Sequence, residues 1–416
     1  MKKTLAAVAV LGAFAGSALA ADVTLYGKID LGLQYMNSNS DVLTAVKGEG
    51  AHSPYPGVEN VKKDSWGVKS GSNTGSRFGL KGTEQIADGL TVGFQLEQGF
   101  NADDGTLGAD GLAFNREARL YVQTDFGEIG LGRMGGLDSG LGSYDIISKG
   151  YAFGTGWGST IGDSSAILLG ESSRMDNMIT YKSPTFAGMT VLAQASLAKT
   201  SVEEGEGSSD VDRYYAMGVT GAWGDLTAAL IFSTTDYART WVNETGTEDQ
   251  AREDNSKVVT GYVAYDFGIV KPMLAAQYFD DLHVNAWAND IDTTAQNAAG
   301  WAAKWLAGSS VKGYGVMLGA TAPIAAGTLY AMAGYNDFET TAGIDKGLMP
   351  GDVEVSMDKV EVDTISFGIG YQYPLSKRTY VYTAAGYTKV SGDTGVKGLE
   401  GDTKTTEVVA GIVHNF

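Results

Sequence analysis

The sequence contains no cysteine and only 3 histidines in 416 residues. Disulfide scaffolding is excluded, so stability must come from packing or from closed hydrogen bonding. His52, His283 and His414 lie far apart in the chain, so neither a Ser-His-Asp set nor a His-rich metal site is suggested. Proline is scarce, at 7 residues, and no linker stands out in a chain long enough for two or three ordinary domains. Beyond residue 20 no apolar run approaches the roughly 18 residues that a spanning helix needs. If the chain crosses a membrane, a closed barrel is the architecture left to it. Positive charge is short too: 30 Lys and Arg face 49 Asp and Glu, for a formal charge of −19. That excess argues against nucleic acid as a partner, because phosphates would be repelled.

Glycine is abundant, at 58 residues, about twice the ordinary share. Residues 1–20 read as a signal peptide: Lys2 and Lys3 form a charged start, Leu5 to Gly16 a short apolar core, and Ala18-Leu19-Ala20 a small-residue cleavage box. The remaining domain, 21–416, would carry a formal charge of about −21 without the two leader lysines. Its first segment sets the period. From Val23 to Tyr35 the odd positions are mostly apolar, whereas the even ones include Thr24, Lys28, Asp30 and Gln34. Period two over that length is a long strand with one apolar face. The same alternation returns in Leu90-Val92-Phe94-Leu96 against Thr91, Gln95 and Glu97, in Leu120-Val122-Phe126 against Arg119, Gln123 and Asp125, and from Thr364 to Tyr373. Gly32, Gly93, Gly130, Gly368 and Gly370 fall on the polar face, where small residues let a curved wall bend.

Connections alternate in length. Turn chemistry marks short ones at Ala87-Asp88-Gly89, Asp125 to Glu128, Pro184 to Gly188, Trp223-Gly224-Asp225, Asp266-Phe267-Gly268, Pro323 to Gly327 and Pro374 to Lys377. Long ones lie near residues 37–75, 101–113, 134–174, 199–211, 238–256, 282–311, 338–358 and 391–403, with a short helix expected at 290–307. This predicts an all-β fold, a transmembrane antiparallel β-barrel of about sixteen strands with both ends on the short-turn side, the pattern of outer-membrane barrels.

These residues resemble a known family, the general porins of the Gram-negative outer membrane, of the beta-proteobacterial and neisserial type. The resemblance runs along the whole domain and rests on Val23 to Gly27, Ser76 to Glu84, Phe126 to Arg133, Arg174 with Asn177, Ile179, Tyr181, Ser183 and Pro184, Leu375 to Thr379, and Gly411 to Phe416. It implies a homotrimer in outer-membrane lipid and lipopolysaccharide, whose third loop folds into the lumen and narrows it. The terminal Phe416, with Ile412 and His414 on one outward face, resembles the signal read by the barrel-insertion machinery. Val413 stands where many relatives have an Arg, and Lys28 where an apolar residue is usual.

The function expected is general diffusion of ions and small hydrophilic solutes, with no cofactor, no metal and no enzyme chemistry. A substrate-selective porin and a structural or adhesive surface barrel are the alternatives. A pore discriminates by fixed charge at its narrowest point, where a low-dielectric wall limits screening. Strand parity turns Arg77, Arg119 and Arg174 into the lumen. Arg116 and Arg133 match family positions, but parity points both outward, so a bulge or loop start is required. The third loop carries Asp138, Asp145, Asp163 and Glu171 with Lys149 as its interior cation. Ser143-Tyr144-Asp145 resembles the family segment that approaches the constriction, and Asp138 and Asp145 are candidates to oppose the arginines there. The run Phe153 to Gly158 lacks the lysine of a phosphate loop and reads as flexible loop.

Overall fold

A computed structural model describes residues 23–44, 57–109, 111–154, 156–158, 160–161, 168, 173–199, 211–238, 241–242, 248–249, 254–283, 310–341, 344–349, 353–357, 359–393 and 400–416. The leader at 1–20, the helix expected at 290–307, and Asp163 and Glu171 lie outside the described residues.

The alternating segments form one closed sheet. The first strand, β1 (Thr24–Thr44), is met on one side by two consecutive segments, β2 (Gly57–Ser70) and β3 (Arg77–Ala87). Leu31 pairs with Ser70 and Lys28 with Arg77, so β2 and β3 continue one line and share one place in the wall. The wall proceeds through β4 (Leu90–Gly99), β5 (Glu117–Thr124), β6 (Gly127–Gly135), β7 (Arg174–Lys182), β8 (Met189–Ser196), β9 (Arg213–Trp223) and β10 (Leu226–Asp236). A small hairpin of β11 (Trp241–Val242) and β12 (Glu248–Asp249) intervenes before β13 (Lys257–Tyr265), β14 (Lys271–His283), β15 (Ser310–Ile324) and β16 (Gly327–Thr340). A second, β17 (Ile344–Met349) with β18 (Val353–Met357), precedes β19 (Glu361–Pro374), β20 (Thr379–Asp393) and β21 (Gly401–Asn415). β21 pairs with β1 and closes the ring. The 17 segments of the main sheet thus occupy 16 antiparallel positions. Closure removes the sheet edge that lipid could not satisfy.

All seven short turns stand where the sequence places them. Gly224 and Gly268 have φ of 61° and 79°, left-handed values that a Cβ would disfavour in such tight connections. The two chain ends meet: the Gly27 amide donates to the Phe416 carbonyl and the Phe416 amide to the Gly27 carbonyl. The Phe416 ring fills the space where a Gly27 side chain would sit.

The expected facing also holds. Leu25, Ile29, Leu120, Phe367 and Ile412 are exposed on the outer surface. From Leu25 to Tyr35 the outward apolar run spans roughly 33 Å of strand, or about 25 Å once tilted, the height of a lipid-facing band. Exposed aromatics flank it: Phe126, Phe186, Phe267, Tyr373 and Phe416 towards the short turns, Tyr35, Trp66, Tyr278 and Tyr314 towards the long loops.

Strand length departs from expectation. The first connection, placed near 37–75, is strand through Thr44 and again from Gly57. The ladder continues above the lipid, where both faces meet water and alternation fades. Polar pairs replace it, with Asn37 Nδ2 donating to Asp64 at 2.7 Å and Asn60 Nδ2 to Asp41 at 2.9 Å.

Candidate functional site

The inward faces of β1 and β3 to β7 carry a dense array of charge. Tyr26, Lys28 and Asp30 alternate inward on β1, Gln95 and Glu97 on β4, and Glu117, Arg119 and Tyr121 on β5. Arg77 and Arg116 converge on Glu97: Arg116 Nε lies 2.7 Å from Oε1 and Arg77 Nε 3.5 Å from Oε2. Tyr26 also donates to Glu97, at 3.0 Å, and Gln95 Nε2 donates to Tyr26. Arg119 bridges Glu117 at 3.1 Å and Glu128 at 3.2 Å, and its guanidinium lies 4.4 Å from the Tyr121 ring centre and 4.9 Å from that of Tyr144. Such bridges are charge-assisted and geometrically selective, so they fix arginine orientation more than they add stability.

The two arginines that parity sent outward are turned by irregularities. Arg116 precedes β5, in the loop, which frees it to reach Glu97. Arg133 sits at a register shift between Gly132 and Met134, and its guanidinium bonds the Asn115 carbonyl at 3.1 Å and Asp176 at 2.5 Å. Arg174 opens β7, where the charges acting on it most are those of Arg116, Glu97, Arg133 and Arg77; its Nε is buried with no hydrogen-bond partner among the described residues. All five arginines therefore belong to one array.

The two loop acids each accept several hydrogen bonds. Asp138, 7% exposed, accepts hydrogen bonds from Tyr214 at 2.8 Å and from Ser233 at 2.7 Å, on β9 and β10. Asp145 lies just before a one-turn 3₁₀ helix, Ser148–Gly150, and accepts from the amides of Ile147 and Ser148 and from the Ser148 hydroxyl. Loop and array meet through Ser143, whose hydroxyl donates to Glu117 at 2.9 Å, and through Tyr144, which donates to Glu128 at 2.6 Å. Burial and the nearby Glu128 carboxylate push the Tyr144 hydroxyl upward, so it remains a donor.

The described part of the third loop packs against residues of the wall strands. Ile146 and Leu137 lie over Gly218, Gly150 over Tyr262, Ala152 over Gly319, Phe153 over Gly370 and Ile161 over Gly386. Glycine at wall positions 218, 319, 370 and 386 admits the loop, since a Cβ there would crowd it, and Gly150 does the same from the loop side against Tyr262. Trp157 packs against Phe153, Tyr330 and Tyr382 at ring separations of 5.4, 5.0 and 5.5 Å. In the run read as flexible loop, Phe153 to Gly158, Phe153 and Trp157 are thus buried and packed against the wall aromatics. Near its end, Thr160 donates through amide and hydroxyl to Glu407 on β21, at 2.7 and 2.9 Å.

Glu97, Glu117, Glu128, Asp176 and Glu407 were not foreseen as site residues. Alternation had put Glu97 on the polar face beside Gln95, and Glu117 shares the parity of Arg119, so that much of the signal was present. Among the described residues no group of three or more His, Asp or Glu side chains is placed to hold a metal.

A family profile described as Gram-negative porin matches residues 6–393. The chain belongs to that family. An outer membrane porin protein of Bordetella pertussis is 31% identical over 430 residues, covering all of both chains. Outer membrane porin protein 32 of Delftia acidovorans is 29% identical over 282 residues, 65% of this chain and 68% of that one. Among solved structures, an anion-selective porin from Comamonas acidovorans superposes with a TM-score of 0.61 at 22% identity, over 95% of this chain and 100% of that one; at that identity the likeness speaks for the fold. The protein is accordingly an outer-membrane barrel forming a diffusion channel, as the sequence resemblance implied.

Proposed function

We propose that this porin passes ions and small hydrophilic solutes without bond chemistry, with a weak preference for anions set by the arginine array. In this reading the third loop lies in the lumen and narrows it, so that the open path runs between the loop and the charged faces of β1 and β3 to β5. The contacts of Ile146, Gly150, Phe153 and Ile161 with inward-facing wall residues support that course. The observation that carries the preference is the convergence of Arg77 and Arg116 on the single carboxylate of Glu97, which leaves cationic charge in excess there. Screening over roughly 8 Å at physiological salt removes most of the outer-loop potential, whereas charges at a constriction lie within a few ångströms of each passing ion.

The proposal extends to assembly. Export would remove residues 1–20, Phe416 would present the insertion signal, and three copies would join through the apolar outer wall in lipid and lipopolysaccharide.

Single-channel recording in a salt gradient tests the reading. Stepwise conductance with an anion-favouring reversal potential, drifting towards cations as salt falls, is expected. Absence of conductance would favour a plugged structural or adhesive barrel, and saturable conductance for one solute class a selective porin.

A further inference from the structure

Between β2 and β3 the wall strand leaves the sheet for six residues, Gly71-Ser72-Asn73-Thr74-Gly75-Ser76, opposite only Ile29 and Asp30 of β1. Such an insertion cannot be held by the ladder, and what holds it is Asp30. This carboxylate is fully buried, and its Oδ2 accepts the Asn73 amide at 2.7 Å and the Thr74 amide at 2.8 Å, while Oδ1 accepts the Tyr382 hydroxyl at 2.7 Å from the opposite side of the β1–β21 seam. The Asp30 backbone adds bonds to Gly71 and Ser76. Tyr380 donates to Asn73 Oδ1 at 2.8 Å, and the Gly158 amide of the third loop donates to the Ser72 carbonyl.

The insertion in turn grips the array. Arg77 Nη1 donates to the Gly75 carbonyl at 3.0 Å and to Thr74 Oγ1 at 3.3 Å. Arg116 Nη1 lies so close over Gly75 that a Cβ there would sit 3.0 Å from it. Asp30 therefore touches neither guanidinium in the contacts described above yet fixes the atoms that orient one and abut the other.

We propose that Asp30 is a positioning residue for ion selection, acting through the 71–76 insertion to hold Arg77 and Arg116 towards the path. The proposal rests on the anion preference argued above. Its signature is a sign. If Asp30 were merely a negative charge near the path, its removal would raise anion preference. As a positioning residue, its removal releases the insertion and lowers anion preference although a negative charge has been lost.

Reversal potentials in a salt gradient, recorded for the full chain in planar bilayers, decide between these. Asp30→Ala is expected to lower the anion-to-cation permeability ratio about twofold, and Asp30→Ala on top of Arg77→Ala to add little to the Arg77→Ala change. Tyr382→Phe, which removes one bond to the carboxylate, and Thr74→Val, which removes one acceptor for Arg77, should shift the ratio the same way by less. These two variants carry the test if Asp30→Ala does not reach a folded barrel by its heat-dependent gel shift. A ratio that rises or stays fixed in all folded variants, on a native channel that prefers anions, overturns the positioning role and leaves the porin reading standing. A native channel without anion preference would instead sink the reading on which the proposal rests.

Discussion

The two halves of the inner wall solve different problems with the same strand geometry. On β1 and β3 to β7 many inward positions are charged, beside the buried Met134, Met175 and Met178, and arginines are held by carboxylates: Arg116 by Glu97, Arg119 by Glu117 and Glu128, Arg133 by Asp176. On β9 to β21 many inward positions are small or apolar, among them Ala229, Ala264, Ala275 and Ala384, and third-loop residues contact Gly218, Gly319, Gly370 and Gly386. One half is a field and the other a seat. Electrostatic work demands groups left close to water, where ions can feel them, whereas loop docking demands dry, close-packed contact. The comparison teaches that an apolar inward residue in a porin wall need not face lipid.

The sharpest way to break this division is to unseat the loop. Trp157 is 4% exposed and ringed by Phe153, Tyr330 and Tyr382. Trp157→Ala is expected to weaken docking by about 3–5 kcal/mol, the usual cost of a buried aromatic truncation. Open-channel current should become noisy, with sub-state flicker, while the barrel itself keeps its resistance to heat in gel-shift assays. Current as quiet as the native channel's would show that the aromatic cluster does not hold the loop.

A smaller effect separates the carboxylates of the two halves. Removing Arg77 and Arg116 together should lower the anion-to-cation permeability ratio on the order of two- to fivefold, since each charge acts at short range in a partly screened lumen. Glu97→Gln should raise it, because two arginines lose their shared counter-charge. Asp138→Asn should leave it near the native value, since that carboxylate is buried and engaged by Tyr214 and Ser233. Equal shifts from Glu97→Gln and Asp138→Asn, measured as reversal potentials, would erase the distinction.

The same division explains what was legible in the sequence. Alternation is clean where one face meets lipid and the other meets water, so Leu25 to Tyr35 and the facing of Arg119 could be read directly, as could the seven turns with their Gly, Pro and Asp. Alternation is weak where the inward face is also apolar, as at Met273 and Ala275, and there the sequence gives strands without a reason for their inner residues. It also stops at the lipid boundary, which is why the strand residues from Asn37 to Thr44 read as loop. The arginines were read as lumen candidates, but Glu97 and Glu117, which pair with them, were passed over: pairing depends on which strands are neighbours, and a single strand's period does not contain that. Asp138 and Asp145 were candidates from the acidity of the third loop and the resemblance of Ser143-Tyr144-Asp145, whereas the hydrogen bonds they accept, from Tyr214 and Ser233 and from the 147–148 turn, depend on loop geometry that a sequence does not contain.

The smallest expected effect concerns alkaline pH, and it belongs to the third loop. Tyr144 and Tyr151 lie in the third loop outside the spanning strands, and burial raises the ionisation of both above the ordinary phenol value, with Glu128 adding to it at Tyr144 and Asp138 and Asp145 at Tyr151. A raised value means that the docked loop favours the protonated phenol. Its contribution is fully present below about pH 10, where the undocked phenol ionises, and is lost progressively as pH climbs towards the docked value. In that window each tyrosine withdraws about 1.4 kcal/mol per pH unit. Current noise should therefore grow above about pH 10 in the native channel, and far less in a Tyr144→Phe, Tyr151→Phe variant, which has no phenol to ionise. Noise is the right readout because it follows the seating of the loop rather than the charge of the wall. Equal growth of noise in both channels would place the alkaline weakness elsewhere than in the seating of the loop.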